Sequence, residues 1–230
     1  ENKFGINLEN LDEFVETALS LDNIDLCGVH FHIGSQITET GPFVLLCRKV
    51  GEILDRMKAL GAEITIVDMG GGLGIDYDDP DGNPIPDFEH YFAVFRDNLQ
   101  LSHDQELHFE PGRSIVGQCG SLITRVLYVK EGTAKKFAIV DAGMTDLIRP
   151  ALYQAHHKIE NISSTSAVDD VYDVVGPICE SSDSFGTDER LPLVQRGDFL
   201  ALRSAGAYGE IMASTYNCRR LPGSVFSTDL

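Results

Sequence analysis

Several short stretches of the 230-residue sequence bring together residue types that can do chemistry. Gly70, Gly71 and Gly72, in GGGLG at 70–74, let backbone N–H groups approach an anion with no Cβ in the way, and a phosphate is the natural occupant. The spacing is neither GxGxxG nor a Walker motif with its lysine, and taken alone the triplet also suits a tight structural turn. HFHIGSQ at 30–36 puts His30 and His32 on one face of an extended segment, with Ser35 just beyond. An HxH pair can ligate a metal, but glycines and EPGR hold the positions where further ligands would fall. No metal is therefore expected, and His30 is expected to be buried or packed. EPGR at 110–113 sets Glu110 and Arg113 at one strand end, where the guanidinium can grip a carboxylate or phosphate, or simply pair with Glu110. Further along, Arg149 precedes Tyr153 in LIRPALY, Cys179 and Glu180 follow VVGPI, and glycines flank Tyr208 in GAYGE. Each of these is weak alone, since a single cysteine is more often a small buried apolar residue and Tyr208 suits a core.

The elements that must position these residues fall into two characters. In the first half, Asn7 is placed to cap a helix with apolar residues at Leu8, Leu11, Val15, Ala18 and Leu19. A strand at 26–34, a helix over 41–60 ending at Gly61, a strand into the glycine loop at 63–72, a helix over 87–101 and a strand from 106 follow in turn. This alternation predicts parallel strands joined by helical crossovers. The unusual residues sit at the C-terminal ends of the strands, which is the ligand-binding edge of a barrel and of an open sheet alike. After Arg113 the helices give way to β-rich runs at 121–129, 135–143, 170–177 and 198–206, separated by turn residues, as in a mainly antiparallel domain. The expected division is 1–113 and 114–230.

Composition narrows the partners. Hydrophobic residues make up 43% and charged residues 23%, as in a soluble globular protein, and no apolar run reaches membrane-spanning length. The net charge of −18 lacks the basic footprint that nucleic acid requires. Five cysteines, Cys27, Cys47, Cys119, Cys179 and Cys218, are odd in number and widely spaced without CxxC, which fits reduced thiols and a cytoplasmic location. The opening ENKFGINLEN lacks the basic and apolar regions of a signal peptide, and both ends read as cut.

Read in order, GVHFHIGSQ, VDMGGGLGI, FEPGRSIVG, DAGMTDLIRPALY, GPICESSD and GAYGEIMASTYNCRR resemble the diaminopimelate decarboxylase family of alanine-racemase-like pyridoxal-phosphate enzymes, from about Lys3 to the C-terminus. The resemblance implies the last three strands of a TIM (β/α)8 barrel followed by a β-domain. It also implies pyridoxal 5'-phosphate as cofactor and meso-2,6-diaminopimelate as substrate, decarboxylated to L-lysine. By the same resemblance Glu110 pairs with the pyridine nitrogen and His32 stacks on the ring. Ser35, the glycines at 70–72, Tyr208 and the backbone at Gly112 and Arg113 hold the phosphate. Arg113, Arg149 and Tyr153 grip substrate carboxylate, with Tyr208 nearby. Glu180 binds the distal ammonium and Cys179 acts in protonation. In the family these last two reach the partner subunit's site, which implies a homodimer.

One departure stands out. The family attaches its cofactor to a lysine on an early barrel strand. None of Lys3, Lys49, Lys58, Lys130, Lys135, Lys136 and Lys158 lies in a matching motif, so that lysine is expected upstream and the chain alone is expected to be inactive. The rival readings are an ornithine- or arginine-type decarboxylase, a non-catalytic homologue and a metal-dependent barrel hydrolase. Glu180, where ornithine enzymes resemble each other in carrying Asp, and Arg149, suited to a second carboxylate, favour the diaminopimelate reading.

Overall fold

The computed structural model describes residues 3–229. The chain forms two compact units, Glu1–Gly74 with Asp87–Pro111, and Ile75–Pro86 with Gly112–Leu230.

In the first unit a 3-10 turn at Leu8–Asn10 leads into α1 (Leu11–Leu19). Leu11, Val15 and Ala18 are buried as their spacing predicts, but Leu8 and Leu19 are exposed. The Asn7 side chain caps nothing, because the chain enters through the 3-10 turn and α1 starts four residues later. The strands β1 (Gly28–His30), β2 (Ile66–Asp68) and β3 (Glu106–His108) are parallel in the order β1-β2-β3. Their crossovers contain α2 (Gly41–Ala59) and α3 (Phe88–Asn98).

Local chemistry explains where these helices stop and start. At the end of α2, Gly61 takes φ +90° while its N–H donates to Lys58 O (3.0 Å) and the Ala62 N–H donates to Met57 O (3.0 Å). This glycine-dependent arrangement satisfies carbonyls the helix leaves open. At the start of α3 the Asp87 carboxylate accepts from the His90 N–H at 2.9 Å, the hydrogen bond expected of an N-cap. The core between helices and sheet holds Val50, Met57 and Val67 with an aromatic group of Phe43, Tyr91, Phe95 and Phe109. Phe43 and Tyr91 meet edge to face at 5.1 Å, a favoured ring geometry.

The second unit is built on a six-stranded sheet. A short helix α4 (Arg113–Val116) precedes β4 (Leu122–Glu131) and β5 (Lys136–Val140). Then come α5 (Arg149–Tyr153), β6 (Ile159–Asn161), β7 (Asp169–Val175), β8 (Ser184–Pro192) and β9 (Phe199–Leu202). The sheet order is β6-β9-β4-β5-β7-β8, antiparallel throughout except between β5 and β7. Val126, Val140, Val174, Leu191, Leu200 and Leu202 form its core. Among the described residues, no helix is long and apolar enough to cross a membrane.

Candidate functional site

In the first unit, the candidate residues lie just past the strand ends. The loops there are bonded to one another: Phe31 N–H donates to Asp68 O (2.9 Å), Glu110 N–H to Gly70 O (2.9 Å), and Ile37 N–H to Gly72 O (2.9 Å). The glycine triplet permits that closeness. A Cβ on Gly70 would lie 2.0 Å from Phe31 O, one on Gly71 2.3 Å from Glu110 O, and one on Gly72 2.6 Å from Gly34 O. Gly70 and Gly72 also take φ of +69° and +105°. The structural-turn reading of the triplet therefore applies, and the same bare backbone gives the smooth surface that an anionic group requires.

The Glu110 carboxylate is exposed and hydrogen-bonds to His30 Nε2 at 2.9 Å. This corrects the packing role expected for His30. The strand places its side chain outward, level with Asp68 on β2, so the imidazole meets Glu110 rather than the core. Ligand atoms of His30, Asp68 and Glu110 lie within 4.8 Å of one another. Asp68 is also tied down by accepting the Gly70 N–H at 2.8 Å. His32 and Ser35 are exposed in the loop that follows β1.

In the second unit a different group assembles. Arg113, the first residue of α4, donates from Nη1 to the Tyr77 hydroxyl at 2.5 Å and lies 4.9 Å from the Tyr208 ring centre. Tyr208 takes φ +57°, uncommon for a residue with a bulky side chain, and its hydroxyl comes near Gly112. Arg149 opens α5 and is 5% exposed, with its guanidinium 4.7 Å from the centre of the same Tyr77 ring. Its Nη1 contacts Nε2 of His157 at 2.7 Å. The other ring nitrogen of His157, Nδ1, faces Arg203 O at 2.8 Å. A carbonyl can only accept, so Nδ1 carries the proton and Nε2 is the lone pair that receives the Arg149 N–H. His157 is fully buried, and that burial pushes its pKa down to about 4, helped by the charge of Arg149 and opposed by the Arg203 carbonyl. Burial likewise lowers Arg149. Tyr153 remains exposed on α5.

Cys179 and Glu180 occupy the loop between β7 and β8. The buried Asp183 carboxylate shapes it by accepting N–H groups from Ile178 (2.7 Å) and Met144 (2.6 Å). Burial raises the Asp183 pKa and these bonds oppose the rise. Cys179 is exposed. The Tyr216 hydroxyl donates to Glu180, and that bond raises the pKa of the phenol.

Tyr77 and His157 went unpredicted. No local motif marks them: Tyr77 stands 36 residues from Arg113, and His157, though eight residues from Arg149, leans on the Arg203 carbonyl 46 residues away. The fold brings Tyr77 to Arg113 and sets the His157 ring between Arg149 and the Arg203 carbonyl.

The chain is 58% identical over 230 residues to a diaminopimelate decarboxylase of Bacteroides thetaiotaomicron, covering all of this chain and 59% of that protein. It is 44% identical over 219 residues to a diaminopimelate decarboxylase of Vibrio cholerae, covering 95% of this chain and 52% of that protein. Among solved structures, diaminopimelate decarboxylase from Helicobacter pylori complexed with L-lysine superposes with a TM-score of 0.85 at 42% identity, covering 94% of this chain and 53% of that one. The chain thus spans about half the length of the curated relatives it matches. The model of the pyridoxal-dependent decarboxylase C-terminal sheet domain matches residues 20–206, most of the chain, and the chain belongs to that family.

Proposed function

We propose that the protein carrying this chain is a cytoplasmic homodimer that uses pyridoxal 5'-phosphate to decarboxylate meso-2,6-diaminopimelate, releasing CO2 and L-lysine. In this reading residues 1–113 supply the last three strands of a TIM barrel, residues 114–230 form the β-domain, and the cofactor-anchoring lysine lies on a strand that this chain lacks. Bound pyridoxal phosphate supplies the sink for the electron pair left when the bond between the α-carbon and its carboxylate breaks.

The residues present fit that cofactor. In the first unit the bare backbone at Gly70, Gly71 and Gly72, with Ser35, suits a phosphate; in the second unit the resemblance gives phosphate contacts to Tyr208 and to the N–H groups of Gly112 and Arg113. Glu110 holds an exposed carboxylate at a strand end, suited to a protonated ring nitrogen, and His32 is placed to lie against a ring. Arg113, Arg149 and Tyr153 bind substrate carboxylate, with Tyr208 beside Arg113. Glu180, oriented by Tyr216, binds the distal ammonium. Cys179 holds the proton that the α-carbon takes up after CO2 leaves.

The observation that carries the substrate reading is the buried Arg149 guanidinium. It has a neutral imidazole at hydrogen-bond distance and, among the described residues, no carboxylate in an ion pair. Buried charges are normally paired, so an anionic group from the substrate is the natural partner. The test is to assay CO2 release by the intact protein, loaded with pyridoxal phosphate, from diaminopimelate, ornithine and arginine. Turnover of diaminopimelate alone is expected. Preferential turnover of ornithine or arginine would replace this reading with the other decarboxylase class, and no turnover of any would favour a non-catalytic homologue.

A further inference from the structure

We infer that His157 is a positioning residue that aims the Arg149 guanidinium at a substrate carboxylate while leaving its positive charge uncancelled. The inference rests on the substrate-binding reading of Arg149 given above.

Both ring nitrogens of His157 are committed. Nδ1–H donates to Arg203 O at 2.8 Å, and Nε2 accepts from Arg149 at 2.7 Å. The carbonyl it leans on is itself well fixed. Arg203 bridges Asp81 (2.7 Å) and Glu160 (2.6 Å), tying its own residue to the sheet that carries β6 and β9. The Tyr77 ring packs edge-on against the imidazole at 5.1 Å and lies 4.7 Å from the guanidinium, so the arginine is held from two sides.

The chemical type of the support matters. A carboxylate at position 157 would hold Arg149 just as firmly but would form an ion pair and leave nothing for a ligand. A neutral imidazole satisfies one N–H without supplying a counter-charge. Burial keeps the ring neutral, and the charges of Arg149, His156 and Arg113 also disfavour a second proton, against the opposing pull of the Arg203 carbonyl. The Arg149 Nε, buried and without a partner among the described residues, is a further sign that the guanidinium is not saturated by the protein. Such an arrangement suits a ligand bearing a carboxylate remote from the reacting carbon.

The test uses the intact protein and two probes, pimelate, a seven-carbon dicarboxylate without amines, and 1,5-diaminopentane, which has both amines and no carboxylate. Binding is measured by calorimetry beside the kinetics of diaminopimelate decarboxylation. For His157→Leu, pimelate should bind about 10- to 100-fold more weakly, the scale of one hydrogen bond to a charged group. Arg149→Ala should lose at least as much. KM for diaminopimelate should rise by a similar factor while kcat stays within about threefold, because only binding of the remote carboxylate is lost. The affinity for 1,5-diaminopentane should be nearly unchanged. His157→Gln, which keeps an acceptor and a donor, should recover most of the pimelate affinity. Should the leucine variant fail to fold, His157→Asn, polar but too short to reach Arg149, carries the same expectation.

The inference is overturned if pimelate binding survives these substitutions, or if pimelate and 1,5-diaminopentane are lost equally. It is also overturned if the unsubstituted protein does not bind pimelate through Arg149. If pimelate behaves as expected but diaminopimelate releases no CO2, the proposed activity falls and the positioning role stands.

Discussion

The glycines divide into two kinds that sequence alone does not separate. Gly61 and Gly70 both take positive φ, +90° and +69°. Gly61 has open space where a Cβ would go, whereas a Cβ on Gly70 would sit 2.0 Å from a backbone carbonyl. Gly61→Ala should therefore cost about 1 kcal/mol, the penalty of a left-handed L-residue. Gly70→Ala adds a backbone clash that no rotamer relieves and should cost about 3 kcal/mol or more, with the strand-end loops displaced. Urea unfolding of the intact protein, with cofactor absorbance as a second readout, checks both, and equal costs would sink the distinction. The triplet was legible as an anion-binding or turn motif. What it could not disclose is that each glycine of the triplet faces a particular carbonyl, those of Phe31, Glu110 and Gly34, because those contacts join segments far apart in the chain.

At the scale of elements, periodicity was a good guide where one face is buried. Both crossover helices and the first-half strands were legible, yet the regular strand β1 is only Gly28–His30, far shorter than the apolar run at 26–34. The remainder leaves the sheet to form the loop bearing His32 and Ser35. Two strands of the second unit went unread. β6 is three residues long, and β8 carries Thr187, Asp188, Glu189 and Arg190, a polar sequence suited to its place at the sheet edge beside β7 alone. Edge strands do not need the apolar alternation on which sequence reading depends. In the helical core of the first unit the pattern conceals a defect of another sort. The Tyr91 ring is packed by Phe43, Phe95 and Phe109, but its hydroxyl is buried with no hydrogen-bond partner among the described residues. That burial pushes the phenol pKa up to about 12. Removing an unsatisfied polar atom while retaining the ring relieves a desolvation cost, so Tyr91→Phe should stabilise the protein by about 1 kcal/mol. A lower urea midpoint for the variant would show that the hydroxyl has a partner after all.

At the scale of the whole chain, its net charge of −18 means that the anionic cofactor and dicarboxylate substrate proposed above would approach against the average field of these residues, and local cations would have to reverse it. Arg113 and Arg149 are such cations, both against Tyr77. The lysines are not. Lys49 pairs with Glu52 on α2, Lys135 with Asp173, Lys136 with Asp170, and Lys158 with Glu160. Lys3 and Lys130 lie over phenylalanine rings, and Lys58 is in the last turn of α2. None belongs to the loops beyond β1, β2 or β3, where Gly70–Gly72 and Glu110 lie. Covalent capture of a carbonyl requires a neutral amine, and for Lys135 and Lys136 the neighbouring carboxylates raise the pKa and hold the proton more tightly. The 230-residue chain, mixed with pyridoxal phosphate and reduced with borohydride, should therefore gain no stoichiometric cofactor at any one lysine. Without that attachment it should release no CO2 from diaminopimelate, while the intact protein under the same treatment should gain one cofactor per chain. Mass spectrometry of the reduced samples reads the difference. A single modified lysine among these seven would mean that the chain carries its own anchor, and the division of labour proposed for it would have to be abandoned.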